Sequence, residues 1–218
     1  MNDYIFGALS GISQTIIGHP FDTYKVLLQN NKPINNLKIK NIMAGIKYPL
    51  SSSALICSLN FGSYSYFKNN LDINIPVSGA LSGIVVTPIV FISDIGKVSR
   101  QVNKVPDWKN IKNQKGFNTV LVREIVAFSS YFSVFENAKQ NGIHPFFAGG
   151  LAGLANWTLS YPIDVIRSRQ IATNCTVRQA YDKGSLWRGF GLCAIRAVLV
   201  NSVGFYVYDS LQSNFDEN

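Results

Sequence analysis

Charge is what this 218-residue chain has least of. Asp, Glu, Lys and Arg make up 15% of it against 47% hydrophobic residues, a balance unlike that of ordinary soluble domains, about a quarter of which is charged. Histidine occurs twice and cysteine three times. Cys57, Cys175 and Cys193 have no CxxC or paired spacing, so neither a disulfide framework nor a metal site is indicated, and they read as small apolar packing residues. No Gly-rich phosphate loop, His/Cys/acid cluster or paired nucleophile stands at mechanistic spacing, which argues against an enzyme and against a bound cofactor. No basic patch interleaved with aromatics points to a nucleic acid polymer. The start, Met1-Asn2-Asp3-Tyr4, lacks the basic region of a secretory signal and the Arg-rich amphipathic form of a transit peptide, so targeting information is expected to be internal. No linker or low-complexity tract is present, and a single membrane domain over 1–218 is expected.

What is there comes in long apolar blocks, near 4–29, 45–67, 75–101, 116–139, 146–171 and 187–212. Each reaches the roughly 20 residues that a bilayer-spanning helix needs. The segments after the first, third and fifth blocks carry Lys32, Lys38, Lys40, Lys104, Lys109, Lys112, Lys115, Arg178, Lys183 and Arg188, whereas residues 1–3, 69–74, 140–145 and 213–218 carry no Lys or Arg. By the positive-inside rule both termini lie on the side away from the basic connections. The net charge of +8 is therefore largely one-sided, and it suits an anionic lipid surface.

The blocks repeat. Gly7-Ala8-Leu9-Ser10-Gly11-Ile12 recurs as Gly79-Ala80-Leu81-Ser82-Gly83-Ile84 and loosely as Gly149-Gly150-Leu151-Ala152-Gly153-Leu154. The offsets of 72 and 70 also relate the acid-x-x-base elements Asp22/Lys25, Asp94/Lys97 and Asp164/Arg167. Gly45, Gly116 and Gly189, then Tyr64, Phe135 and Tyr208, follow at offsets of 71 and 73. Three tandem helix-loop-helix repeats are expected, at 1–72, 73–142 and 143–218. The small-xxx-small glycines are read as close helix contacts. Pro20 and Pro162 should kink their helices, with Pro88 in the second repeat displaced by a turn. Short surface helices are expected at 38–43, 110–115 and 176–183. The Asn and Lys enrichment around 30–41 and 103–115 reads as biased composition more than function.

These elements resemble the mitochondrial carrier family, whose signature is Pro-x-Asp/Glu-x-x-Lys/Arg three times, each followed by an aromatic-basic-Gly element. Pro20/Asp22/Lys25 and Pro162/Asp164/Arg167 fit fully, Asp94/Lys97 lacks its proline, and Trp187-Arg188-Gly189 fits the second element. The chain is shorter than typical members, with the saving in its connections. The resemblance implies an all-α integral membrane protein of six transmembrane helices, a pseudo-threefold bundle around a central cavity, exchanging small metabolites across the mitochondrial inner membrane by alternating access. Both termini would face the cytosol or intermembrane space. It further implies a matrix gate in which Asp22 pairs with Lys97, Asp94 with Arg167 and Asp164 with Lys25, with Gln29 and Gln101 at the bracing positions. On the opposite side, Tyr64, Lys68, Glu136, Lys139, Tyr208 and Asp209 form a depleted cytoplasmic gate. There, neighbour pairing leaves one full ion pair, Lys68 with Asp209, while Lys139 meets Ser65 and Glu136 meets Gln212. A resting state closed toward the matrix is the expectation.

A substrate without threefold symmetry should be read by polar residues that break the repeat. Aligned on the glycines, Ser52, Arg123 and Arg196 share one level, and Glu124 follows Arg123. Charges at that depth cost about 2.5–3.5 kcal/mol each on insertion scales unless they meet water or partners, so Arg123, Glu124 and Arg196 are expected to line the cavity. Gln14 and Asn156 are further candidates. His19 is read as packing and Trp157 as helix packing or cavity wall. The Arg-acid pair resembles the carnitine and basic amino-acid branch, because Glu124 suits a cationic amine and an arginine a carboxylate. Two arginines suit phosphates as well, so a nucleotide (ATP/ADP or a deoxynucleotide) is the alternative cargo, and a transport-dead adaptor the alternative class. The remaining partner expected is lipid, cardiolipin at the helix N-termini that open at Gly45, Gly116 and Gly189. The working unit is expected to be a monomer.

Overall fold

The computed structural model describes residues 2–32, 39–109, 111–143, 145–196 and 199–200, without the side chains of 2–11, 14, 40, 54, 57, 58, 61, 145 and 146. Five long helices carry the fold: α1 (Asn2–Gln29), α3 (Lys47–Asn69), α4 (Ile75–Gln101), α5 (Phe117–Gln140) and α6 (Pro145–Thr173). They coincide within a few residues with the first five apolar blocks. The sixth is helical at 190–196 and 199–200, and its remainder lies outside the described residues. The connections are shorter in helix than expected, with one turn at α2 (Ile39–Ile42), a 3₁₀ turn at Ile111–Asn113 and α7 (Val177–Asp182). Among the described residues no strand is present. Among the described residues one helix, α4, is long and apolar enough to cross a membrane by length and composition alone.

The distribution of polarity explains why the other long helices fall short of that test. Large apolar side chains point outward: Ile84 and Ile92 on α4, Leu154 and Leu159 on α6, Ile12 and Ile16 on α1 are all exposed. Lys25, Gln29, Asp94, Glu124, Asp164 and Arg169 are buried instead. A soluble bundle shows the reverse pattern. Apolar exteriors with ionisable interiors are what a lipid solvent selects; interior charges lower the mean hydropathy of α5 and α6, and serine, asparagine and tyrosine that of α3.

Turn residues set the helix ends. Gly45, Gly116 and Gly189 all adopt left-handed φ, at +83°, +119° and +88°, just before α3, α5 and the helical stretch at 190. A Cβ on Gly45 would also lie 2.8 Å from the Lys97 carbonyl. Asn31, Asn103 and Asn174, at the ends of α1, α4 and α6, are likewise left-handed. After α1 the Lys32 amide reaches the Leu27 carbonyl at 2.9 Å and the Asn31 amide the Leu28 carbonyl at 3.2 Å; Lys104 and Asn103 repeat this on Ser99 and Arg100 after α4. These are Schellman closures, for which asparagine is the second choice after glycine. Part of the asparagine enrichment is thus structural, which corrects its reading as compositional bias.

Small residues set the closest helix approach. A Cβ on Gly79 would lie 2.6 Å from the Phe128 carbonyl and one on Gly83 2.6 Å from the Glu124 carbonyl, so α4 and α5 meet backbone to backbone. Gly7 and Gly11 lie outside the described set, and a Cβ on Gly149 or Gly153 meets nothing among the described residues. Val86, Val90, Ile95, Val98, Val120 and Ile171 form the main apolar core, while Tyr161, Val165 and Cys193 form a second with Trp157 and Phe190. Cys193 is therefore an apolar packing residue. Gly83→Val is expected to lower the thermal midpoint in detergent by several degrees or to prevent accumulation of the folded protein, because the backbones must separate. Gly62→Ala, where a Cβ meets nothing within 4 Å among the described residues, should leave it unchanged or higher.

Candidate substrate cavity and gates

Three ion pairs join α1, α4 and α6 where their acid-x-x-base elements converge. Lys25 Nζ lies 2.6 Å from Asp164 Oδ2, Lys97 Nζ 2.7 Å from Asp22 Oδ2 and Arg167 Nη1 2.9 Å from Asp94 Oδ2. Each acid reaches a base on another helix, and three bonds close a ring. The ring is unequal. Asp164 also takes Arg167 Nη2 at 2.7 Å, Arg123 Nε at 3.9 Å and the Gln29 amide at 3.3 Å. Asp22 takes a second cation, Arg196 Nε, at 2.8 Å. Asp94 has Arg167 as its one ion-pair partner among the described residues.

A cavity of about 200 Å³ opens on this ring. Its lining includes all six ring residues, Gln29, Arg123, Arg196 and Trp157. Trp157 has Lys25 Nζ 4.4 Å and Arg123 Cζ 5.5 Å from its ring centroid, within the range of cation–π attraction. It is a cavity wall, the second of the two roles read from the sequence.

Other expected contacts lie elsewhere. Glu124 does not line the cavity; it is 1% exposed and sits against Arg123, with Oε1 2.6 Å from Nη1. Its place at the Gly83 contact with α4 buries it, so it presents Arg123 to the cavity and is itself shielded. Ser52 bonds the Tyr48 carbonyl at 2.8 Å and Ser93 Oγ at 2.9 Å, and Asn156 accepts from Ser160; neither lines the cavity. Gln14 lies outside the described side chains. Gln101 donates to Thr23 Oγ1 at 3.0 Å and touches no gate charge, so of the two bracing glutamines Gln29 alone contacts an ion pair. Arg196, expected only as a substrate contact, is held by Asp22. His19 is buried, with Nε2 3.0 Å from the Ala44 carbonyl.

On the opposite side an ion pair that was not expected is present. Lys68 Nζ lies 2.9 Å from Glu136 Oε1, which also accepts from the Tyr64 hydroxyl at 3.2 Å. Tyr64 and Lys68 are one turn apart on α3 and so reach one carboxylate together. Tyr64 is fixed by stacking on Phe132, with centroids 3.6 Å apart. Lys68 is thus engaged by Glu136; its expected partner Asp209, with Tyr208 and Gln212, lies outside the described residues. Lys139 stands 5.5 Å from the Phe135 ring centroid, and Ser65 accepts from Asn69.

The residue that sequence reasoning missed is Arg169. It is wholly buried, donating from Nε to the Gln29 carbonyl and from Nη1 to the Ala180 carbonyl, both at 2.8 Å. The signal was available: Arg167-Ser168-Arg169 places two bases at the end of an apolar helix, whereas the equivalent positions in the other repeats are Leu27 and Ser99.

A greasy exterior, an ionisable interior and a cavity floored by ion pairs between helices define a membrane solute carrier. Residues 138–218 match the sequence profile described as mitochondrial carrier protein. The chain is 23% identical to a mitochondrial arginine transporter of Arabidopsis thaliana over 95% of its own length and 89% of the relative's. It is 26% identical to a glutamate/glycine mitochondrial carrier of Schizosaccharomyces pombe, covering 97% and 94%. It is 25% identical to the mitochondrial basic amino acids transporter of Mus musculus, covering 93% and 86%. Along nearly its whole length the chain is thus similar to mitochondrial carriers, and over residues 138–218 it matches their profile. Proteins of that family have an all-helical membrane fold, carry solutes and lie in the mitochondrial inner membrane, and they are transporters, not enzymes.

Proposed function

We propose that this protein exchanges a small zwitterionic or cationic metabolite, a basic amino acid or a carnitine-like compound, across the mitochondrial inner membrane by alternating access. The observation that carries the reading is the three-pair ring beneath a cavity lined by Arg123, Arg196 and Trp157. The arginines suit a carboxylate and the tryptophan face a cation. The ring would be the matrix gate, closed until substrate binding offsets its broken contacts. The Lys68–Glu136–Tyr64 cluster would be the cytoplasmic gate, a weaker one, since partly exposed pairs contribute about 0–1 kcal/mol.

Three repeats, at 1–72, 73–142 and 143–218, with six spans and both termini toward the cytosol, accommodate the left-handed glycines at equivalent positions and the basic connections. Lipid phosphate, cardiolipin's included, suits the α5 N-terminus, where Lys115, Gly116 and Asn118 border a cavity of about 280 Å³. A monomeric working unit fits a cavity lined by residues of one chain.

Liposomes preloaded with arginine, ornithine, carnitine or ADP and challenged with labelled counter-substrate test the reading. Exchange of the amino acids or carnitine is the expected result, and Arg123→Ala is expected to abolish it. Exchange of ADP alone would select the nucleotide reading, in which the arginines leave Glu124 and Asp22 for phosphates. Unchanged kinetics in Arg123→Ala would reject the site, and no exchange of any compound would favour an adaptor.

A further inference from the structure

Among the described residues the seam between α1 and α6 carries more polar links than the other two gate seams, where Gln101 donates to Thr23 between α4 and α1 and Lys104 to the Ala172 carbonyl between the end of α4 and α6. Beside Lys25–Asp164 and the Gln29 amide, Asn30 Nδ2 donates to Ser168 Oγ at 2.9 Å. Next to these lies Arg169, the largest fully buried side chain described. It makes no ion pair among the described residues. Its two acceptors, the Gln29 and Ala180 carbonyls, belong to the last turns of α1 and α7, where helix carbonyls lack intrahelical partners. Each helix end presents roughly half a negative charge. These two ends meet Nε and Nη1, while Nη2 is buried with no hydrogen-bond partner among the described residues, so the cation is only partly satisfied even with the gate shut.

We propose that Arg169 is a positioning residue of the matrix gate, a latch that holds the end of α1 and the surface helix α7 against α6 while the gate is shut. It touches no substrate and acts through Gln29, whose backbone it fixes and whose side chain lies on Asp164. Gln29 is about one turn beyond Lys25, so α1 cannot leave α6 at Lys25–Asp164 without drawing the Gln29 carbonyl away from Arg169. The opened state then leaves Nε unmet in addition to Nη2, and the latch biases the protein toward closure. Leu27 and Ser99 at the equivalent positions confine the device to one seam. The proposal rests on the gate reading above.

The test uses the full chain in liposomes, with Cys57, Cys175 and Cys193 replaced by serine and one cysteine introduced by Val26→Cys in the cavity lining. Matrix-side labelling by a membrane-impermeant maleimide is compared in the parent, Arg169→Gln and Arg169→Lys, alongside thermal midpoints and the ratio of net efflux to exchange. Without substrate, Arg169→Gln is expected to raise the labelling rate at least fivefold and to raise net efflux relative to exchange. Arg169→Lys, whose single ammonium cannot reproduce the guanidinium fork, should fall between. A lowered midpoint with unchanged labelling in folded variants would assign Arg169 a purely structural role and overturn the proposal. If Arg169→Gln does not fold, Arg169→Lys carries the same comparison. A protein that exchanges nothing but still shows the labelling shift would retain the latch and lose the transport reading.

Discussion

Asp164→Asn is expected to abolish exchange and to leave the cavity open to labelling from the matrix side. Asp164 is 1% exposed and faces Lys25, Arg167 and, farther off, Arg123. Removing one partner of a buried ion pair costs about 3–5 kcal/mol because it leaves an uncompensated charge, and here one carboxylate compensates several. Asp94→Asn should cost less, since Asp94 meets one cation and Arg167 keeps Asp164. The sharper test is the exchange of charges, Lys25→Asp with Asp164→Lys. An isolated pair would be restored by the swap. Here it should fail, because a lysine at position 164 would face Arg167 and Arg123. Transport and matrix accessibility in the double variant decide the matter, and full rescue would show that Lys25–Asp164 acts as a simple pair.

The second large effect is expected from Glu124→Gln. The amide leaves the Arg123 guanidinium with Asp164 at 3.9 Å as its nearest acid. A loss of about 3–5 kcal/mol, if felt in the transport step, corresponds to a roughly 10²–10⁴-fold fall in uptake. Because Glu124 is shielded from the cavity, the effect should come through the placement of Arg123. The double variant Arg123→Gln, Glu124→Gln separates the two roles, since removing both partners of a buried pair is far milder for folding than removing one. Its thermal midpoint should recover toward the parent value while uptake stays lost. Recovery of uptake together with stability would make the pair purely structural.

The repeat spacing, the first five helices within a few residues, and the six charges of the ring were all legible in the chain, because each depends on local periodicity or on a residue type that lipid tolerates only at special places. The registers of Gly45, Gly116 and Gly189 were legible too, although their reason, a left-handed φ before a helix, was not. Three-dimensional pairing was harder. Ser52 and Asn156 share a depth with the cavity but satisfy themselves on neighbouring hydroxyls and carbonyls, and alignment along the axis says nothing about rotation around it. Lys68 and Tyr64, one turn apart, reach the same carboxylate of Glu136, a convergence that pairing by repeat position does not give.

By itself, then, the sequence determined that the chain is a repeated set of membrane helices with acids and bases in register, since hydrophobic length and charge spacing are properties of the chain. Which acid collects several cations, that Glu124 is buried behind Arg123, that Arg196 is shared with Asp22, and that a buried arginine rests on two helix ends were decided only by the tertiary structure. Those depend on the few ångströms by which helices approach one another, and at such distances the interaction of two charges changes by several kcal/mol.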